Sequence, residues 1–153
     1  MANWKKLKIK GLNKKTSLGD AAKVVLNYRI NILSESVKKY FDDESEENLH
    51  SVRISIRRVR YNMEIFSVCF DKNKFMIFYN LIEDLQDLTG SVRDIDVLLE
   101  NMKSLISGEK LKVSKRVLEK FRQKRLHLKE DLTLSLMNYI HGEEMQNFLK
   151  LIT

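Results

Sequence analysis

The stretch Leu49-His50-Ser51-Val52-Arg53-Ile54-Ser55-Ile56-Arg57-Arg58-Val59-Arg60-Tyr61-Asn62-Met63-Glu64-Ile65-Phe66-Ser67-Val68-Cys69-Phe70 decides the fold. Leu49, Val52, Ile56, Val59, Met63, Phe66 and Phe70 follow one another at alternating steps of three and four residues. That spacing is the mark of a helix packing one face into a bundle. One position later His50, Arg53, Arg57 and Arg60 repeat the same steps. Side chains so spaced stack on one side of a helix, so the four form a basic rail beside the apolar seam. At helical rise the rail is about 15 Å long, which suits an extended polyanion better than one small anion. The first acid on its line is Glu64. Arginine's planar fork matches phosphate oxygens, and its charge does not titrate away.

Composition supports the all-helical reading. The chain has 153 residues, no proline and five glycines, which favours a single domain of long helices with short connections. Runs of alternating apolar and polar residues flanked by turn residues are missing, so no strand is expected. No apolar run approaches the ~20 residues of a membrane span, and Lys5, Lys6, Lys8 and Lys10 precede no apolar core of a secretory signal. The one cysteine, Cys69, lies next to a seam position. It reads as a small core-side residue and fits a reducing cytoplasm.

The net charge of +7 is misleading as a sum. Residues 1–17 hold six lysines and no acid, leaving 22 basic and 21 acidic residues for the rest. Total basicity therefore says little about a partner, and the placement of the charges says more.

Residues 1–17 read as a basic lead-in, with Trp4, Leu7 and Ile9 available to dock, and residues 18–153 as one antiparallel helical bundle. A first helix is expected from near Ser17 to about Phe41, its apolar face formed by Ala21, Ala22, Val25, Leu26, Ile30, Leu33, Val37 and Tyr40. After an acidic loop, Ser45 caps the striped helix, which runs to about Asp71. A third helix spans about Asn73 to Thr89, with Phe75, Phe78, Leu81, Ile82, Leu85 and Leu88 inward. Gly90 is a breaker and Ser91 a cap for a fourth helix to Ile106, carrying Ile95, Leu98, Leu99, Met102 and Leu105. A long helix from Lys110 to Ile140 then uses Val113, Val117, Phe121, Leu128, Leu132, Leu136 and Tyr139. Gly142 ends it before a short closing helix, so the fold is four main helices with short terminal ones.

Two further clusters bear charge in a pattern. Lys110 to Lys129 holds nine basic residues against one acid, Glu119. Lys112, Arg116, Lys120 and Lys124 make one line, and Arg122, Arg125 and Lys129 another; the plain alternative is a solvated helix face. Beside the rail, this helix would supply the second wall of a cationic groove. In Gly90-Ser91-Val92-Arg93-Asp94-Ile95-Asp96-Val97 the carboxylates lack a third ligand at helical spacing, so no metal is expected. Asp94 and Asp96 fit the role of orienting a neighbouring arginine.

Together these residues resemble the CHAD family, the conserved-histidine α-helical domain. Its pattern H-x-x-R-x-x-x-R-R-x-R is matched by His50, Arg53, Arg57, Arg58 and Arg60, with Phe66 following. Its later G-x-x-R-D-x-D-V turn is matched by Gly90, Arg93, Asp94, Asp96 and Val97. The resemblance covers about residues 18–140. It implies an all-α module that binds inorganic polyphosphate through a basic surface and is associated with cytoplasmic polyphosphate granules. The expected ligands are His50, Arg53, Arg57, Arg58, Arg60 and Arg93, joined by Arg122, Arg125 and Lys129. Family members of usual length contain two such bundles, whereas this chain supplies one and mixes features of both halves. Two copies paired about a twofold axis would rebuild the double bundle; a chain that is half of a longer protein is the other reading.

Function classes follow from the same residues. A non-catalytic polyphosphate-binding module leads, with no cofactor and no membrane partner. A nucleic-acid-binding bundle would use the same charges, but no helix-turn-helix, zinc site or stacking motif offers base specificity. Histidine phosphotransfer would use His50, yet Ser51-Val52-Arg53-Ile54 lacks the usual lysine–glycine context. Hydrolysis would need a carboxylate cluster or a nucleophile–base pair, and neither is visible.

Overall fold

The computed structural model describes residues 9–108 and 112–153. It comprises α1 (Leu18–Asp42), α2 (Glu46–Phe66), a 3-10 turn (Ser67–Cys69), α3 (Lys72–Ser107), α4 (Lys115–His141) and α5 (Glu143–Ile152). Among the described residues there is no strand. Side-chain caps set most helix starts: Ser17, Ser45, Asp71 and Ser114 each accept a hydrogen bond from a backbone N–H three residues on. Trp4, Leu7 and the lysines at 5, 6 and 8 lie outside the described residues. Gly11 has a φ of 94° and sits over Val24, turning the chain against α1.

Four antiparallel helices enclose one core. Leu49, Val52, Ile56, Val59 and Met63 are buried as their spacing requires, against Leu26, Ile30, Leu33, Val37 and Tyr40 of α1. Phe66 and Phe70 close the end of the seam, packed against the core but partly exposed. On α3, Phe75, Phe78, Ile82 and Leu85 are buried, with Leu81 and Leu88 at the margin. Phe78 stacks on Phe148 of α5 at 4.2 Å between ring centres. Tyr139 of α4 is fully buried and its hydroxyl lies 3.1 Å from the Ser34 hydroxyl of α1, which ties the first helix to the last long one. Among the described residues no helix is long and apolar enough to cross a membrane.

Gly90 and Ser91 do not break the chain. α3 runs through them without interruption, so the expected third and fourth helices are one. The cause is the apolar period: Leu85, Thr89, Val92 and Ile95 are all buried on one face. Continuous burial there outweighs the ~1 kcal/mol that a mid-helix glycine costs. Ser91 returns its hydroxyl proton to the Asp87 carbonyl, as serines inside helices do. Two other boundaries shift. α2 ends at Phe66 and gives way to the 3-10 turn, and α4 starts at Lys115 rather than Lys110, which with Glu109 and Leu111 lies outside the described residues.

The fused α3 overruns its neighbours. Arg93 meets Glu46, the first residue of α2, so residues 94–107 extend roughly 20 Å beyond that point. The first half of α4 lies alongside them, Arg125 pairing with Asp96. Among the described residues no third helix covers this two-helix arm, in which Ile95 and Met102 are buried but the flanking apolar positions are not. Leu98, Leu105 and Val117, expected inward from their spacing, are therefore about 40% exposed.

Candidate functional site

The rail lies where α2 meets α3. His50, Arg53, Ile54 and Arg57 form one wall of an open groove of about 500 Å³. Gln86, Asp87, Thr89, Gly90, Ser91 and Asp94 of α3 form the other. His50 and Arg57 are exposed and Arg53 is half-buried. Among the described residues none of the three makes a salt bridge, and neither does Arg58. Arg58 is exposed but does not line this groove. A smaller depression of about 420 Å³ continues the groove toward the start of α2, bringing Arg93 to His50 and Arg53, with Glu46 and Glu47 also lining it.

Arg60, the far end of the rail, is committed to the bundle. Its Nε donates to Glu64 at 3.0 Å and to the Tyr79 hydroxyl at 3.1 Å, and its terminal nitrogen lies 3.5 Å from Glu83. The Tyr79 hydroxyl in turn donates to Glu64 at 2.8 Å. The hydrogen bond to Tyr79 is the chief cause pushing the Arg60 pKa up. Arg93 is likewise paired, with Glu46.

The α4 basic line stands elsewhere. Arg122, Arg125 and Lys129 line a separate cleft of about 340 Å³ at the base of the arm. Its other walls are the α1–α2 junction and the face of α3 that carries Asp96 and Glu100. Arg125 pairs with Asp96, and Lys129 lies 3.5 Å from Glu44. The expected second wall of the rail groove is therefore not α4: α2 packs between α1 and α3, and α4 packs on α3, α5 and α1. Lys112, Arg116, Lys120 and Lys124 are exposed on the outer face of the arm, the solvated reading.

Of the two carboxylates expected to orient an arginine, Asp96 pairs with Arg125, whereas Asp94 lines the rail groove. Asp87 was legible only to a reading that kept α3 whole. Asp87 and Asp94 are seven residues apart, hence on one face of an unbroken helix, but a break at Gly90 uncouples them. Two arginines thus face two aspartates across the groove. The acid-free property belongs to the α2 wall alone. Among the described residues no three His, Cys, Asp or Glu side chains are grouped as metal ligands.

In comparisons with known proteins, the family model described as CHAD domain matches residues 2–91. The match takes in all of α2 and ends before Arg93, so the second family motif quoted above lies largely beyond it. Nothing among the curated proteins or the solved structures matches the chain.

Proposed function

The chain belongs to the CHAD family, and on that premise we propose that it is a non-catalytic module binding inorganic polyphosphate along His50, Arg53 and Arg57. The observation that carries the reading is the state of those side chains: they line one open groove, and among the described residues no carboxylate engages them. A phosphate chain laid on the α2 wall would receive charge-assisted hydrogen bonds at successive turns, over about 10 Å from His50 to Arg57. Release of condensed counterions would supply much of the affinity, which therefore falls as salt rises. Arg93 extends the track toward the start of α2, and Arg58 offers a charge on the outer face.

The α3 wall is acidic, and α4 is on another side of the bundle. A second basic wall would have to come from another chain. Closed twofold dimers are the common solution, so the proposal includes a homodimer that sets two rails against one polymer. The site of action is proposed to be the cytoplasm, at polyphosphate granules.

The test is a titration of the wild type and an Arg53→Ala/Arg57→Ala double variant with a long polyphosphate and with a single-stranded oligonucleotide. The double variant is expected to keep its helicity and thermal midpoint. It should lose at least about tenfold in polyphosphate affinity and flatten the log–log salt dependence by about one to two units. Unchanged affinity with retained helicity removes the rail from the mechanism. Oligonucleotide binding at equal or lower phosphate concentration moves the assignment to nucleic acid.

A further inference from the structure

The cleft at the base of the arm has a composition that the rail groove lacks. Its interior carries an apolar patch from Leu49, Leu99 and Leu118, of which Leu49 is 5% exposed. Two of its cations are spoken for, Arg125 by Asp96 and Lys129 by Glu44. Among the described residues, Arg122 and Lys103 have no acidic partner, and of the cleft's acids Glu100 alone has no cation.

Tyr40 adds an observation of a different kind. Its side chain is 1% exposed and lines this cleft, yet its hydroxyl makes no hydrogen bond among the described residues. The hydroxyl is not fully buried: among the described residues the buried side-chain polar atoms without a partner are Arg29 Nε and Gln86 Oε1, so the Tyr40 O–H reaches solvent, whereas the Tyr139 hydroxyl is held by Ser34. Burial first, then the charges of Glu44 and Asp96, raises the Tyr40 pKa, which keeps the hydroxyl a proton donor. A solvent-reaching hydroxyl donor, two cations without ion-pair partners among the described residues and an apolar patch share one half-open cleft of about 340 Å³. That size is at the lower end of small-molecule sites.

We propose that this cleft binds a small organic phosphate monoester, separately from the polymer on the rail. Its phosphate would lie between Arg122 and Lys103, its apolar body on the leucines, and an oxygen would accept from Tyr40. A linear polyphosphate is polar throughout and leaves the leucines uncovered. Glu100, an exposed carboxylate in the lining, further disfavours a long polyanion. The inference stands apart from the reading of the rail, which uses different residues on a different face of α3.

The test is an NMR titration of the full chain with phenyl phosphate, flanked by inorganic phosphate, benzyl alcohol and tripolyphosphate. Saturable shifts centred on Tyr40, Leu49, Leu99 and Leu118 are expected with phenyl phosphate, with at least about tenfold weaker binding of inorganic phosphate and of benzyl alcohol. Arg122→Ala, an exposed position, should weaken phenyl phosphate at least about tenfold and leave long-polyphosphate affinity unchanged. Tyr40→Phe should weaken it several-fold at an unaltered fold, checked by the thermal midpoint. Shifts centred on His50, Arg53 and Arg57 overturn the proposal, as does the absence of saturable shifts. Tripolyphosphate binding in the cleft as tightly as phenyl phosphate overturns it too, because the cleft would then read phosphoryl groups alone.

Discussion

At the scale of single residues, the rail is a set of arginines with unequal freedom. Arg60 has Glu64, Glu83 and Tyr79 around it, whereas Arg53 and Arg57 have no acidic partner among the described residues. An Arg60→Ala variant is thus expected to lose stability through a broken hydrogen-bond network, with a smaller effect on polyphosphate than Arg53→Ala. Paired thermal melts and titrations check this. Across the groove, Asp87 and Asp94 oppose any anion on the rail. A charge pair ~10 Å apart in water is worth about 0.4 kcal/mol, more where solvent is displaced. Asp87→Asn/Asp94→Asn is therefore expected to raise polyphosphate affinity by roughly threefold to tenfold at fixed salt, and unchanged or lower affinity would place the polymer elsewhere. The basic residues of this site were legible in sequence because they share one helix. Their ion pairs were not, since Glu83 and Glu46 reach the arginines only through packing.

At the scale of the elements, two glycines make opposite predictions. Gly90 is inside α3 with nothing within 4 Å of the Cβ an alanine would add. Gly90→Ala should stabilise the chain by about 0.5–1 kcal/mol, read as a raised thermal midpoint. Gly142 joins α4 to α5, and a Cβ there would run into the Asn138 backbone carbonyl. Gly142→Ala should lower the midpoint. The sequence pattern supports a break at both positions, but burial of Thr89 and Val92 carries α3 past the first. The contact between α4 and α1 is also testable by pH. Burial pushes the Tyr139 hydroxyl far above its ordinary 10, with the Ser34 hydrogen bond a smaller opposing effect. The folded state holds that proton more tightly than the unfolded chain, so the associated stability is full below pH 10 and declines as pH rises beyond it. Tyr139→Phe should flatten the alkaline fall of the unfolding free energy measured by denaturant titration.

At the scale of the whole molecule, one bundle presents the free part of its rail, His50 to Arg57, on one side and a separate half-open cleft under the arm. If the rail is completed by a second copy, light scattering should give twice the chain mass at tens of micromolar. A monomer with full polyphosphate affinity would make a single wall sufficient. The helical class, the seam from Leu49 to Met63, the helix start near Ser17, the cap at Ser45 and the basic line on α2 were determined by the sequence alone. Each depends on neighbours three or four residues apart, and helical geometry fixes those neighbours without knowledge of the fold. Tertiary structure alone decided that α3 is continuous, that its outer half forms an arm with exposed leucines, and which wall faces the rail. Those outcomes depend on which helices lie side by side and how far each overruns the next. Segments distant in the chain meet through burial, and the local period of any one segment carries no record of its partner.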